Sequence, residues 1–462
     1  MNLARAALVA VLLIGISASP LLAEKPAEER IEALEQEIQE LKGELETLRE
    51  EKPRKTTPDG EGEAAQTSEG TEERLQELER RLGVLARELE DLRLGEVAAE
   101  ADRSQYGYGP AASKIYRTEE GLSIGGYGEM IYESVDGGTD EFDFLRGIVY
   151  FGYKFNDRWL FNSEIEFEHA STGADGSASV EFAYLDYLHR PAFNVRAGLL
   201  LVPMGFINEL HEPTVFLGAQ RPVTESVIIP TTWRENGFGL FGEIGPVSYR
   251  SYVVNGLEGA EFSAGGLRGG RQKGSKALAD DFAWVTRADY GPVPGLQLGG
   301  SFYLGDSGQD LTGPGGASVD VGTTILEAHA EYSWRGFELR ALGAWAELDD
   351  VAALNAALGL TGSASVGEEL QGAYLQAGFD VLTLAEAGEA QLTPFVRWEQ
   401  VNTQDSVPAG FGANPANDRE ILTLGLDYKP IDQVVLKVDY QDVSNEADTG
   451  NDQINVGIGY IF

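Results

Sequence analysis

The chain offers few side chains that could carry covalent or metal chemistry. Cysteine is absent, which removes disulfides, thiolate ligands and thiol nucleophiles. The four histidines are His169, His189, His211 and His329. None has the spacing of a metal-binding motif, and His211-Glu212 is not part of an H-E-x-x-H helix. His211 is expected to be a hydrogen-bonding loop residue. There is no G-x-S-x-G elbow and no phosphate-cradling loop. Gly126-Tyr127-Gly128 falls within a strand pattern, where small residues allow close backbone approach. Asp448-Thr449-Gly450-Asn451-Asp452 lacks the spaced ligands and closing Glu of a calcium loop. It reads as a turn, with a divalent bridge to lipopolysaccharide as the alternative. No enzyme, cofactor or metal is expected.

The chemistry that remains is ion selection by charged walls. Residues 121–462 hold 48 acidic side chains against 5 Lys and 14 Arg. Many of these alternate with apolar residues. Candidate pore-lining groups are Arg146, Arg196, Arg287, Arg340, Arg397, Lys437, Glu164, Glu166 and Glu168, with further inward acids at Glu327, Glu331, Glu338, Glu399 and Asp439. A ring of one sign selects ions of the other. This mixture gives no anion ladder and points to a general, mildly cation-preferring pore. The net charge of −40 excludes nucleic acid as a partner, because phosphate binding needs a basic face.

Such a lining has to be positioned by strands. From residue 121 the pattern has period two, in segments of about ten residues, the length a tilted strand needs to cross a bilayer. In the last segment Ile454, Val456, Ile458, Tyr460 and Phe462 face one way, and Asn455, Gly457 and Gly459 the other. Residues 434–441, 337–345 and 161–168 alternate likewise. Seven short breaks alternate with eight long ones, which joins sixteen strands. Short turns on one side and long loops on the other are the habit of outer-membrane barrels. The fold class is therefore all-β, a 16-stranded antiparallel transmembrane β-barrel with an N-terminal α-helical coiled-coil extension. Aromatics near the short breaks (Phe155, Trp159, Tyr290, Trp334, Phe337, Tyr428) form the expected interfacial girdle.

Ahead of the barrel, residues 1–23 read as a signal peptide: Arg5, then an apolar core over 6–16, then a cut after Ala23. Residues 24–50 carry a heptad seam at Ile31, Leu34, Ile38, Leu41, Leu45 and Leu48, and residues 71–95 a second at Leu75, Leu78, Leu82, Leu85, Leu89 and Leu92. Residues 51–70 and 96–120 read as linkers. The arm is either an oligomerisation stalk or spacer toward peptidoglycan, or a hairpin folded on itself. Ile at a with Leu at d favours two strands in model coils.

Specific motifs cover residues 125–256. They include Gly126-Tyr127-Gly128-Glu129, Phe151-Gly152-Tyr153 with Phe155-Asn156-Asp157-Arg158, and Ser163-Glu164-Ile165-Glu166. They continue with Gly198-Leu199-Leu200-Leu201-Val202-Pro203, Asn208-Glu209-Leu210-His211-Glu212-Pro213, Ile229-Pro230-Thr231-Thr232-Trp233 and Gly242-Glu243. This stretch resembles the phosphate-selective porin O and P family. The resemblance implies a sixteen-stranded trimeric porin with a coiled-coil arm in many members and one long loop folded inward as a constriction. Residues 203–236 are the best match for that loop, with Asn208, Glu209, His211, Glu212, Arg221 and Arg234 as its candidate residues. The family's lumens are rich in Lys and Arg; this one is not, so phosphate selectivity is not expected.

The expected function is passive diffusion of small hydrophilic solutes and ions across the outer membrane, with the arm in the periplasm. The alternative is a structural anchor that tethers the envelope through the coiled coil. Expected partners are the outer membrane and lipopolysaccharide, the assembly machinery through Phe462, two further copies in a homotrimer, and peptidoglycan as a candidate ligand of the arm. A hydrolase would need an aligned Ser, His and Asp, which the sequence does not offer.

Overall fold

The computed structural model describes residues 41–42, 105–118, 120–170, 176–385 and 390–462. The signal-peptide assignment, and the coiled-coil segments apart from the helical Leu41 and Lys42, lie outside these residues.

Sixteen strands are described: β1 Gly121–Val135, β2 Glu141–Lys154, β3 Trp159–Glu168, β4 Ala178–Arg190, β5 Phe193–Leu201, β6 Arg234–Ile244, β7 Val247–Asn255 and β8 Phe282–Val293. They continue with β9 Leu296–Asp306, β10 Gly322–Trp334, β11 Phe337–Leu348, β12 Glu369–Phe379, β13 Gln391–Ser406, β14 Asp418–Ile431, β15 Val434–Asn445 and β16 Gln453–Ile461. Each pairs antiparallel with its sequence neighbours, and β1 pairs with β16, so the barrel is closed. Closure leaves no open strand edge, which is the condition for a sheet to sit in lipid.

Period-two patterning sets which face each residue occupies. Ile454, Val456, Ile458 and Tyr460 are exposed on the outside, and Asn455 between them is fully buried. On β15, Leu436, Val438 and Tyr440 are exposed while Lys437, Asp439 and Gln441 are buried. The girdle residues Phe155, Trp159, Tyr290, Trp334, Phe337 and Tyr428 are all exposed. An apolar outer surface around a closed barrel is stable only against lipid. Among the described residues no helix is long and apolar enough to cross a membrane.

The seam closes through the last residue. Phe462 donates its backbone N–H to the Gly126 carbonyl (2.9 Å), and the Gly126 N–H donates to the Phe462 carbonyl (3.1 Å). A Cβ on Gly126 would sit 2.3 Å from the Ile148 carbonyl oxygen, so only glycine fits between the two neighbouring strands. Deleting Phe462 removes both seam bonds and an exposed aromatic ring. The expected result is a sharp drop in correctly inserted, heat-modifiable barrel, read by gel mobility before and after boiling. Wild-type yields from the truncated chain would refute it.

The described part of the second linker is not a linker. Residues 105–118 make a β-bridge between Gln105 and Tyr108, a turn, and the short helix α1 (Lys114–Arg117). Tyr108, Ala111, Ala112 and Ile115 are buried in a cluster that also holds inward-facing residues of β1 to β5, with the Tyr108 ring against Phe182 and Tyr184 of β4. The hydrophobic periodicity that marks a long helix or strand is missing here because so short an insert is held by the wall around it.

A candidate conduction site in the lumen

The connection 202–233 folds into the barrel. Its entry turn uses Gly205, whose φ of +68° lies in the left-handed region. Asn208 staples both legs: its amide donates to the Val202 and Trp233 carbonyls (2.6 and 2.9 Å), and its oxygen accepts from the Trp233 N–H (2.5 Å). The first leg is tied to the wall by an ion network. Glu209 meets Arg250 at 2.9 Å and Arg287 at 3.6 Å. Both arginines share Asp289 at 2.9 Å, and His329 bridges Asp289 and Glu327 at 2.7 and 2.6 Å.

The tip reaches the far wall. Lys437 on β15 donates to the Phe216 and Gly218 carbonyls (2.7 and 2.8 Å), and Asp439 accepts from the Ala219 N–H (2.7 Å). Arg397 on β13 donates to the Leu217 and Gln220 carbonyls (3.3 and 3.1 Å). In the ring order β13 stands opposite β5, where the loop starts. The loop therefore spans the bore. It returns through the one-turn helix α2 (Thr224–Val227), where Glu225 accepts from Tyr374 on β12 (2.6 Å) and from the Ile207 N–H (2.7 Å). Burial pushes the Glu225 carboxyl above its ordinary value, and these two donors pull it back.

The N-terminal segment docks on the same loop. Glu212 accepts from the Ala111 and Ala112 N–H groups at 3.1 Å. Burial raises the Glu212 carboxyl, and the two amides oppose the rise. Below this contact Arg196 is sealed in the wall. It pairs with Asp186 (2.8 Å), donates to Tyr252 and Tyr116, and has its guanidinium carbon 4.4 to 4.7 Å from the ring centres of Tyr108, Tyr184 and Phe241. Burial keeps the Tyr116 phenol well above its ordinary value, so it stays protonated and donates to Asp186 at 2.8 Å.

A hollow of about 540 Å³ opens at the short-turn end, lined by Glu243, Asp289, Gln297 and Glu331 among others. A smaller one of about 150 Å³ shares Glu243, Asp289 and Gln297 and reaches Glu209, Arg250 and Tyr106. Together they lead from the short-turn mouth to the foot of the inserted loop.

The expected pore-lining residues fall on the inner face of the wall. Arg146, Arg196, Arg287, Arg340, Arg397 and Lys437 all face inward, as do Glu164, Glu166 and Glu168. Each of the six bases has a carboxylate within 4 Å: Glu129, Asp186, Asp289, Glu331, Glu399 and Asp427 respectively. The wall is thus neutralised base by base, and surplus acid remains. Asn208, Glu209, His211, Glu212 and Arg221 lie in the inserted loop, but Arg234 does not. It is the first residue of β6, paired with Leu201, and its guanidinium meets Glu181 on β4 at 3.0 Å. Its place just past the loop's last tryptophan hid the strand start.

Sequence reasoning missed Glu181, Asp186, Glu225 and Asp289. Asp186 and Asp289 share inward parity with named residues and could have been found by counting on. Glu181 could not. It is the unpaired residue of a bulge, where the β3–β4 register steps from Glu164↔Phe182 to Ile165↔Val180. The bulge turns Glu181 inward beside Phe182, against the alternation. A group of bases also went unseen. Arg268 and Arg271 come from the long connection 256–281; Arg268 feels the charge of Arg221, and Arg271 that of Arg268 and Arg234. Burial and neighbouring guanidinium groups push Arg268 down to about 10 and Arg271 down to about 9.

A closed sixteen-stranded barrel with an apolar exterior, a charged interior and a loop across its bore defines a transmembrane β-barrel of porin architecture. No family model matches the sequence. The chain belongs to the same family as a protein of Aquifex aeolicus (strain VF5) known only as an uncharacterized protein, with 38% identity over 391 residues, 80% of this chain and 87% of that one. Among solved structures, Salmonella typhi OmpF in complex with daunomycin superposes with a TM-score of 0.50 at 14% identity, over 74% of this chain and 97% of that one. An anion-selective porin from Comamonas acidovorans gives 0.46 at 11%, over 74% and 100%.

Proposed function

We propose that the protein is an outer-membrane channel for passive diffusion of small hydrophilic solutes and ions, with no catalytic step. The observation that carries the reading is the polar, ion-paired interior of a closed barrel, entered by a hollow that leads to a loop spanning the bore. A barrel serving only as an anchor has no need of sixteen strands, a number wide enough to leave an aqueous channel. The resemblance over residues 125–256 to phosphate-selective porins O and P supports the channel class. It does not extend to phosphate selectivity, because each of the six expected wall bases is paired with a carboxylate.

The selectivity follows from where unpaired charge remains. At the short-turn mouth Asp289 and Glu331 are ion-paired and Glu243 adds a further acid, while Arg221, Arg268 and Arg271 come from the inserted loop and the long connection 256–281. These opposed charges leave a weak preference for cations. In planar bilayers with a KCl gradient, the reversal potential is expected to show K⁺ favoured modestly over Cl⁻, and the double variant R268A/R271A to favour it more. A clear preference for Cl⁻ would overturn the selectivity. A silent bilayer would overturn the channel itself in favour of the tether.

The homotrimer, the periplasmic arm with peptidoglycan as its candidate ligand, contact with lipopolysaccharide, and recognition of Phe462 by the assembly machinery belong to the same reading. Cross-linking in detergent tests the trimer.

A further inference from the structure

We infer that Glu164, Glu181 and His211 form a binding site for a divalent first-row transition ion that fastens the inserted loop to the β3–β4 wall. Glu164 comes from β3, Glu181 from the bulge on β4, and His211 from the loop. All three are buried, and one ligand atom from each lies within 4.8 Å of the others.

The tautomer of His211 is fixed from outside the cluster. Its Nδ1 lies 3.1 Å from the Asn208 carbonyl, an acceptor only, so Nδ1 carries the proton. In the neutral ring Nε2 then presents a lone pair. That lone pair faces Glu164 Oε1 at 3.2 Å and Glu181 Oε2 at 3.4 Å. Three acceptors aimed at one another in a buried space repel unless a metal ion or a shared proton sits among them.

Oxygens in and beside the cluster lack donors. Glu164 Oε2, Glu166 Oε1 and Glu181 Oε2 are buried without a hydrogen-bond partner among the described residues. The nearby cations do not fill the gap. Arg234 is directed at the other oxygen of Glu181, at 3.0 Å, which Thr232 also donates to at 3.0 Å. Arg146 stands 3.9 Å from Glu166 and 3.3 Å from Glu129.

The spacing suits a metal. Ligands bound at roughly 2.1 Å in a tetrahedron stand about 3.4 Å apart, close to the two separations seen at Nε2. One imidazole with two or three carboxylates is a donor set for Zn²⁺ or Mn²⁺ rather than for Ca²⁺ or a soft ion. The backbone acceptor on Nδ1 is the outer support that metal-bound histidines use. The three ligands meet only in the folded barrel, so the ion enters as the loop seats.

The test uses the full chain, folded in detergent, stripped with chelator, incubated with ZnCl₂ and dialysed, with metal content read by mass spectrometry. Wild type is expected to retain one Zn²⁺ per chain, and H211N and E164Q to lose it while keeping heat-modifiable mobility. Zn²⁺ should also raise the thermal midpoint of wild type but not of E164Q, since a ligand of the folded state stabilises it by mass action. No retained zinc in wild type, or unchanged zinc in H211N, would overturn the site; the first outcome would assign the cluster to a shared proton. Metal content is read without current. A conducting barrel free of zinc would therefore sink the site and leave the channel reading standing.

Discussion

Replacing Arg196 by alanine is expected to destabilise the barrel by about 3–5 kcal/mol, the cost of leaving one partner of a buried ion pair uncompensated. Arg196 and Asp186 are both essentially without solvent contact. The guanidinium makes two bonds to Asp186, one each to Tyr116 and Tyr252, and fills the space between three aromatic rings. Alanine removes all of this at once and leaves the buried Asp186 carboxylate without its cation, with Tyr116 as its remaining donor. The loss also takes one of Tyr116's partners, so that α1 is held there only through Asp186 and Tyr184. The paired variant R196M/D186L removes both charges and keeps most of the volume. It is expected to recover much of the loss, because two apolar groups carry no unmet desolvation cost. Denaturant unfolding followed by tryptophan fluorescence reads both. An R196A barrel as stable as wild type would show that the pair contributes nothing net.

The second large effect concerns the current. Deleting residues 215–221, the tip of the inserted loop, is expected to raise single-channel conductance severalfold. The tip holds the contacts to Lys437, Asp439 and Arg397 on the wall opposite the loop's origin, so its removal clears the part of the bore it crosses. The barrel should survive, because the ladder of β5 with β6 and the Asn208 staple lie outside the deletion. Lys437 and Asp427 would remain paired at 3.9 Å, which limits the cost of the freed wall charges. Conductance unchanged in the deletion would mean that the loop does not set the constriction, and residues 105–118 would become the element to remove next.

Much of this was legible in the sequence because barrel geometry is a local code. Lipid-facing and lumen-facing residues alternate strictly. Leu436, Lys437, Val438 and Asp439 therefore announce their own faces, and the seven short and eight long breaks give the strand count directly. The code fails where the alternation does. At Glu181 a single extra residue in β4 reverses the face. At residues 105–118 there is no repeat to read, since the insert is shaped by its container. At Arg234 the loop passes into β6 without a break in composition.

The sequence by itself determined a closed sixteen-stranded wall, its apolar outside and its charged inside, because backbone satisfaction in lipid and a two-residue period leave no other arrangement. The tertiary structure alone decided what fills that wall: which carboxylate neutralises each base, how far the loop reaches, and that Glu164, Glu181 and His211 meet. Those contacts join residues far apart in the chain, such as Lys437 with Gly218. Long-range pairing depends on shear, bulges and loop trajectory, and none of these leaves a periodic trace in the order of amino acids.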